Sequence, residues 1–268
     1  MWLRIEHTTS FDYDDPITEA YTELRQRPLD GAGQHCSSFR LATEPPGVRI
    51  RSYTDHLGND VQHFDVLEPH DRLVVTAISE VQTPHAFADE QRRPSPLELH
   101  DYLMPTAYAP FSDEVRAFAE ANRSEGSATD RATAIMRAVF SGLTFEPGAT
   151  DVKTRADEAL ELGRGVCQDF AHLLIAACRI ERIPTRYVSG YIYDPTLEGE
   201  AAQSHAWVDV YDPERGWVAL DPTHDRAQTD EYVRVAVGRD YADVPPTLGV
   251  YKGSALETLA VRVTVTAL

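Results

Sequence analysis

Cys167 lies where a turn gives way to an apolar helical run, in the segment GRGVCQDFAHLL. Gly163 and Gly165 end one helical pattern, and the next begins at about Val166. The thiol therefore falls in the first turn of a helix, where free N–H groups and the helix dipole favour a thiolate. The same N–H groups could bind the oxyanion of an attacked carbonyl. This position predicts a nucleophilic cysteine.

A buried structural thiol is the other interpretation, because free cysteine is among the most buried residue types. Cys178 fits that interpretation, since it lies in the middle of an apolar run, and Cys36 could equally be a buried strand residue. The start of a helix distinguishes Cys167 from both. Three cysteines without a CxxC pair argue against a disulfide scaffold and against a cysteine-rich zinc site. We expect no cofactor and no metal.

His205 is the histidine best placed to act as the base. It begins the segment SHAWVDVYDPERGWVALDPT, whose alternating pattern predicts a β-hairpin with DPERG as its loop. In that register Tyr211 pairs with Trp217. Extending the register sets Trp207 opposite Asp221. His205 and Asp221 then share one face of the hairpin as diagonal neighbours, with about 7–8 Å between their backbones.

This register decides between two acidic residues. Asp209 lies on the same face as His205 but four residues along the same strand, roughly 13 Å away. Asp221 is within reach of a hydrogen bond, so Cys167, His205 and Asp221 form a predicted catalytic triad. In such a triad the imidazole takes or shares the thiol proton and the carboxylate orients the imidazole. Without the cysteine, a cross-strand polar pair would be the simpler interpretation.

The rest of the chain predicts an α+β fold in two parts. Residues 1–85 contain five strand patterns separated by turns, which favour an antiparallel β-sandwich. The polar, proline-rich residues 86–97 are predicted to be a linker. Residues 98–268 show four helical patterns, two of them with caps at Ser112 and Ser127, and then antiparallel strands. We assign this last part as the catalytic domain.

The segments that carry the chemistry resemble the transglutaminase-like superfamily in its bacterial branch. GRGVCQDFAHLL, SHAWVDVY and WVALDPTH are similar to the family's nucleophile, base and acid segments, in that order. The resemblance carries these roles onto Cys167, His205 and Asp221. LRIEHTTSFDYDDPI and YTDHLGNDVQHFDVLEPHDRLVV resemble the family's N-terminal β domain. The resemblance implies a papain-like core of helices and antiparallel sheet behind that domain.

Two positions depart from the family pattern. His224 stands where the family often has Asn, and Gln168 follows the cysteine where the animal cross-linking enzymes have Trp. His224 is either a neutral strand-end residue or a second ionisable group near the site. Nothing in the sequence resembles an EF-hand calcium loop. Calcium-gated protein cross-linking is therefore not expected.

Gln168, Trp207, Tyr191 and Trp217 are the candidates for substrate binding, because aromatic side chains near the triad could line a cleft. The expected reaction is attack of the thiol on an amide carbonyl of a peptide or protein, giving a thioester. Water as the acceptor makes a cysteine peptidase or amidase, which we favour slightly. An amine acceptor makes a transglutaminase. A peptide-binding module without turnover is the third alternative.

The composition limits the partners of this protein. Acidic residues outnumber basic residues by 43 to 25, and the formal net charge is −18. Such a charge repels nucleic acids and anionic membranes and could attract a lysine-bearing or polyamine acceptor. The N-terminus has no apolar signal segment and the chain no long apolar run, which predicts a cytoplasmic protein. The N-terminal domain could present substrate, mediate dimerisation or brace the core.

Overall fold

The N-terminal part is a curled antiparallel sheet built around one long strand. The structure, a computed structural model, describes residues 1–84, 93–197 and 204–268. The first five strands match the five strand patterns of the sequence: β1 (Trp2–Leu24), β2 (His35–Glu44), β3 (Arg51–Thr54), β4 (Asp60–Val66) and β5 (His70–Gln82). β1 pairs with β5 mainly along its first half and with β4 along its second half. The sheet therefore curls where β1 passes from one partner to the other.

The helices come next in the chain, and serine caps fix three of them. They are α1 (Pro96–Asp101), α2 (Asp113–Ala121), α3 (Ala128–Gly142), α4 (Ala156–Leu162) and α5 (Cys167–Ile180). Ser95, Ser112 and Ser127 each accept a hydrogen bond from the backbone N–H three residues further on. The sequence predicts the last two caps correctly but misses α1, which begins inside the predicted linker. Most of that linker lies outside the described residues. No helix in the described part of the chain is long and apolar enough to span a membrane.

A five-stranded antiparallel sheet packs against α5. The strands of the core are β6 (Thr144–Phe145), β7 (Arg164–Gly165), β8 (Thr185–Ile192), β9 (His205–Asp212), β10 (Gly216–Asp221), β11 (Arg226–Ala227) and β12 (Tyr232–Gly238). β6 and β7 form a short parallel pair, and the others form one sheet in the order β11–β10–β9–β8–β12. Ala206, Val208 and Val210 of β9 join the apolar residues of α5 in the main core. The α+β fold class is confirmed.

The last two strands return to the N-terminal sheet. β13 (Thr247–Lys252) and β14 (Glu257–Ala267) both pair antiparallel with β1. The sequence assigns them to a catalytic domain at 98–268, and in the structure their strand partner is β1 of the N-terminal sheet. β1 has 23 residues, and β14 pairs along its first half and β13 along its second half.

A shared apolar cluster and two side-chain amides hold the sheet against the core. Residues from β1, β5 and β14 meet residues from β8, the position directly after β8, and β12: Leu3, Ile5, Val81, Val263 and Val265 with Tyr191, Tyr193, Val233 and Val235. Asn59 donates to the carbonyl of Val237 and accepts from its N–H. Gln34 bonds the backbone of Arg234 in the same two-way manner. The N-terminal sheet therefore braces the edge of the core sheet.

Candidate active site

A tight turn places Cys167 at the start of α5. Gly163 adopts the left-handed conformation, with φ of 65°, and ends α4. At Gly165 a Cβ atom would lie 2.5 Å from Oδ2 of Asp169, so this position has no room for a side chain. The same Asp169 oxygen accepts the backbone N–H of Val166 at 2.7 Å. The two glycines and this carboxylate fix the first turn of the helix.

Cys167 is the half-buried cysteine of the three. Cys178 is fully buried, and burial raises the pKa of its thiol to about 12. Burial also raises the pKa of Cys36. As the first two residues of α5, Cys167 and Gln168 have backbone N–H groups without a carbonyl partner inside the helix. These two donors are candidates to bind an oxyanion formed at Cys167.

The hairpin of β9 and β10 has the predicted register. Tyr211 pairs with Trp217, and the pairing continues to Val208 and Leu220. Nε2 of His205 lies 2.7 Å from Oδ2 of Asp221. Both residues are buried, with 7% of His205 and 0% of Asp221 exposed. The structure therefore brings together the histidine and the aspartate that the register selects.

Asp221 accepts hydrogen bonds from four directions. Its Oδ2 lies 2.7 Å from both Nε2 of His205 and Nδ1 of His224. The hydroxyl of Tyr232 donates to the same oxygen at 2.6 Å, and the N–H of Thr223 donates to Oδ1 at 2.8 Å. Burial alone would raise the pKa of this carboxyl, but the hydrogen bonds and the charge of His205 hold it well below its usual range. Asp221 therefore stays ionised.

The charge on His205 depends on its two neighbours. Burial disfavours the protonated ring, but the hydrogen bond to Asp221 and the hydrogen bond and charge of Cys167 outweigh burial and raise the pKa of His205 to about 10. Because Nε2 faces Asp221, Nδ1 is the ring nitrogen left for the thiol. With its pKa raised, the ring of His205 favours the protonated form at neutral pH.

Trp207 forms the floor beneath His205. The two rings stack with centroids 5.9 Å apart and planes 26° apart. Gly190, which pairs with His205 across β8 and β9, makes this possible. A Cβ atom there would lie 2.5 Å from the Trp207 ring and 2.1 Å from the carbonyl oxygen of Val233. Trp207 is 0% exposed, so the structure places this predicted binding residue in the core beneath His205 and not on an open surface.

Two other predicted binding residues also lie away from the thiol. The Tyr191 ring is buried, and its hydroxyl lies 2.8 Å from Nδ1 of His7 at the contact with the N-terminal sheet. Trp217 lines a separate cavity of about 820 Å³, whose lining includes none of the three predicted catalytic residues. Gln168 does lie beside the thiol, and its Nε2 donates to the carbonyl of Val152 at 3.0 Å. Of the four candidates, Gln168 is the one next to Cys167.

Asp209, the rival acid, belongs to a structural ion pair. It is fully buried between two arginines, accepting from Nε of Arg186 at 2.8 Å and pairing with Arg234 on its other oxygen. Burial raises the pKa of this carboxyl, but the two guanidinium groups more than compensate and lower it. Asp209 therefore anchors β8, β9 and β12 to one another and does not take part in the Asp221 network.

Two residues complete the site beyond the three predicted ones. Tyr232 lies on β12, eleven residues after Asp221, and nothing local in the sequence connects it with that carboxylate. His224 directly contacts Asp221 through a side chain that is 44% exposed. Within the described residues, His205, Asp221 and His224 form a group whose ligand atoms lie within 4.8 Å of one another, as a metal site would require. The hydrogen bonds of His205 and His224 to Asp221 are sufficient to explain the close approach of the three side chains.

The fold and this site define the protein's class. The family profile of the transglutaminase-like superfamily matches residues 116–222, and that of the bacterial transglutaminase-like N-terminal region matches residues 3–82. An uncharacterized protein of Mycobacterium leprae is 36% identical over the full length of both chains. An uncharacterized protein of Mycobacterium tuberculosis is 30% identical over 98% of this chain and 91% of its own. The chain belongs to the transglutaminase-like superfamily.

Two more comparisons concern the fold and the core. The crystal structure of a "Putative Cysteine Protease" from Cytophaga hutchinsonii has the same fold, with a TM-score of 0.78 and 22% identity, over 99% of this chain and 90% of that one. A protein-glutamine gamma-glutamyltransferase of Pseudomonas aeruginosa is 30% identical over 121 residues, which are 41% of this chain and 18% of that protein.

Proposed function

We propose that the protein is a cysteine-dependent enzyme that attacks an amide carbonyl of a peptide or protein and forms a thioester. One observation carries this proposal. His205 holds a 2.7 Å hydrogen bond to buried Asp221 on one ring nitrogen and turns the other towards Cys167 at the start of α5. This is the arrangement of nucleophile, base and orienting acid that thiol-dependent acyl transfer requires.

Each step of the proposed reaction belongs to a named group of the site. The thiolate of Cys167 attacks the carbonyl carbon, and the N–H groups at the start of α5 bind the oxygen as it becomes negative. The imidazolium of His205 gives its proton to the leaving amine as the C–N bond breaks, which leaves a thioester and a neutral imidazole. That imidazole then takes a proton from the incoming acceptor, which attacks the thioester and releases the thiolate.

Water is the acceptor that we propose for most turnovers. An amine-selective enzyme needs an apolar passage that keeps water from the thioester. Three aromatic residues are the candidates to build such a passage. Trp207 is buried beneath His205, Tyr191 is buried against the N-terminal sheet, and Trp217 lines a separate cavity. This arrangement supports a cysteine peptidase or amidase.

Transfer to an amine is the second candidate function. The short match to a protein-glutamine gamma-glutamyltransferase favours it, and so does the net charge of −18, which attracts cationic acceptors. The non-catalytic peptide-binding module is less well supported, because a module without turnover has no need for a buried aspartate held ionised against a histidine.

The test supplies a glutamine-bearing peptide with and without a millimolar primary amine and identifies the products by mass spectrometry. We expect mainly the free acid, with partial diversion to the amine adduct, and no product from Cys167→Ala. Predominant adduct with little free acid would make the protein a transglutaminase. No product from a broad peptide library would favour the binding module.

A further inference from the structure

A cleft of about 510 Å³ opens between the N-terminal sheet and the core, and its lining includes the residue before the proposed base but none of the three proposed catalytic residues. Three residues of the core side line it: Ser204, which directly precedes His205, together with Val152 and Tyr241. The carbonyl of Val152 accepts the hydrogen bond from Gln168, the neighbour of Cys167. The core wall of the cleft therefore includes the neighbour of His205 and a residue that is hydrogen-bonded to the neighbour of Cys167.

The opposite wall is an apolar sheet face that the described part of the core leaves uncovered. Alternate residues of β14 share one face. On that face Val263 and Val265 are buried against the core, whereas Leu259 and Val261 are 54% and 51% exposed. Phe11 of β1 pairs with Leu259 and lines the same cleft. The sheet and the core therefore separate along β14, and the exposed part of the face lines the cleft.

β13 adds an open strand edge to this wall. Within the described part of the chain β13 pairs with β1 alone, so its outer edge is available to a further strand. The six consecutive residues 246–251 line the cleft, which is the pattern of an edge rather than of one face. Leu248 and Val250 are 52% and 67% exposed there. Such an edge is suited to an extended peptide, which pairs through its backbone.

The cleft carries little charge. Among the described residues that line it, Glu257 is the one acidic side chain, and none is a lysine or an arginine. His7 also lines the cleft, but burial lowers its pKa to about 4 and keeps it neutral. A wall of this composition discriminates by apolar contact rather than by charge.

We propose that this cleft binds the acyl-donor peptide in an extended form, with a bulky apolar side chain beside the attacked residue seated on Leu259 and Val261. The inference rests on the proposed function and names its substrate class. A second copy of the chain is the other occupant to test. The position of Ser204 and Val152 next to the proposed catalytic residues favours the substrate.

The experiment compares kcat/KM for two peptides, N-acetyl-Leu-Phe-Gln-Gly amide and N-acetyl-Ser-Asn-Gln-Gly amide, in the full chain and its variants. Leu259→Asp and, separately, Val261→Asp place a charge on the proposed wall. Ala260→Asp places the same charge on the same strand, on the opposite, exposed face. We expect a preference of about tenfold or more for the apolar peptide, as burial of a large side chain gives. Leu259→Asp and Val261→Asp should lose this preference, and Ala260→Asp should keep it.

Two further measurements separate this inference from the proposed function. Iodoacetamide labelling of Cys167 reports the thiol alone and should be unchanged in Leu259→Asp. Binding of the apolar peptide to Cys167→Ala, measured by calorimetry, reports the cleft alone and should weaken about tenfold when Leu259→Asp is added. If Cys167 proves unreactive while this Leu259-dependent binding persists, the proposed function fails and the peptide cleft stands.

Three results would overturn the inference. The first is the absence of any preference between the peptides in the wild type, and the second is equal behaviour of Leu259→Asp and Ala260→Asp. The third is a wild-type dimer that dissociates in Leu259→Asp while the peptide preference is unchanged, because this result assigns the face to a second copy of the chain. Sedimentation of the same variants provides that measurement.

Discussion

At the scale of single residues, two buried aspartates on one face of a hairpin have different tasks because their neighbours differ. Asp209 lies between Arg186 and Arg234, which are permanently charged, so its pair is a fixed structural element. Asp221 faces His205, whose ring exchanges a proton in the proposed reaction, together with His224 and the hydroxyl of Tyr232. Only the second environment can support a changing charge on a base. The partners of a carboxylate therefore identify its role better than its burial does.

The same substitution, Asp to Asn, should mainly affect the rate at Asp221 and mainly affect stability at Asp209. Asp221→Asn should leave the fold intact and lower kcat by about 10⁴, because an amide no longer fixes the tautomer of His205 or stabilises its charge. Asp209→Asn should cost far less in rate per folded molecule but lower the free energy of unfolding by about 3–5 kcal/mol, because two buried guanidinium groups lose their counter-ion. Steady-state kinetics and urea unfolding measure the two effects. Equal rate losses in both variants would contradict the roles assigned to them.

The three cysteines should differ sharply in alkylation. We expect iodoacetamide to modify Cys167 first and still rapidly below pH 7, because the pKa of His205 is raised to about 10 and the imidazolium beside the thiol persists across that range. Cys36 and Cys178 should react slowly, since burial raises the pKa of both thiols. Mass spectrometry of tryptic peptides over a pH series provides the rates. Earlier labelling of Cys36 or Cys178 would refute the assignment of the nucleophile.

At the scale of elements, the sequence predicts the features that local residue patterns determine. Two glycines predict the start of α5, and the loop length predicts the register that brings Asp221 to His205. The alternation of β8 and β9 also shows which residues share a face, but it cannot show what covers that face. Trp207 and Tyr191 were therefore expected in a cleft, whereas a neighbouring strand and the N-terminal sheet bury them. Tyr232 was missed because its contact depends on the pairing of distant strands.

Gly190 offers a test of how β8 supports the base. Gly190→Ala forces a Cβ atom against the Val233 carbonyl and the Trp207 ring, so we expect a loss of about 1–3 kcal/mol in unfolding free energy and a lower kcat. Gly142→Ala is the matched control, because a Cβ there meets only Phe118 at 3.9 Å. Urea unfolding and kinetics on both variants test this. If Gly190→Ala is as stable as the wild type, the Trp207 ring beneath His205 is able to shift and make room for the added methyl group.

At the scale of the whole molecule, the two ends of the chain close one sheet. β1 and β14 pair along eleven residues, and their shared face packs on β8 and β12 before it separates into the cleft. A boundary drawn from the sequence alone divides this sheet, since nothing local to β14 shows that its partner lies more than 240 residues away. The same sheet braces the core at one end and forms the wall of the proposed substrate cleft at the other.

Two histidines buried in this assembly predict its response to acid. Burial lowers the pKa of His172, packed in the core against Tyr108, to about 3, and that of His7 to about 4. Both folded values lie below the unfolded value of about 6.5, so only the unfolded chain takes up these protons as the pH falls below 6.5.

Stability should therefore fall as the pH is lowered from about 6.5 towards 3, with each histidine contributing about 2 kcal/mol of loss at pH 5. His172→Phe keeps an aromatic ring beside Tyr108 but cannot be protonated. It should lose some stability at pH 7, since Nε2 of His172 accepts the N–H of Tyr241, yet its unfolding free energy should change less between pH 7 and pH 5 than that of the wild type. Urea unfolding at the two pH values measures the difference. An identical pH dependence in His172→Phe would mean that His172 gains its proton without unfolding, through an opening of the core around Tyr241.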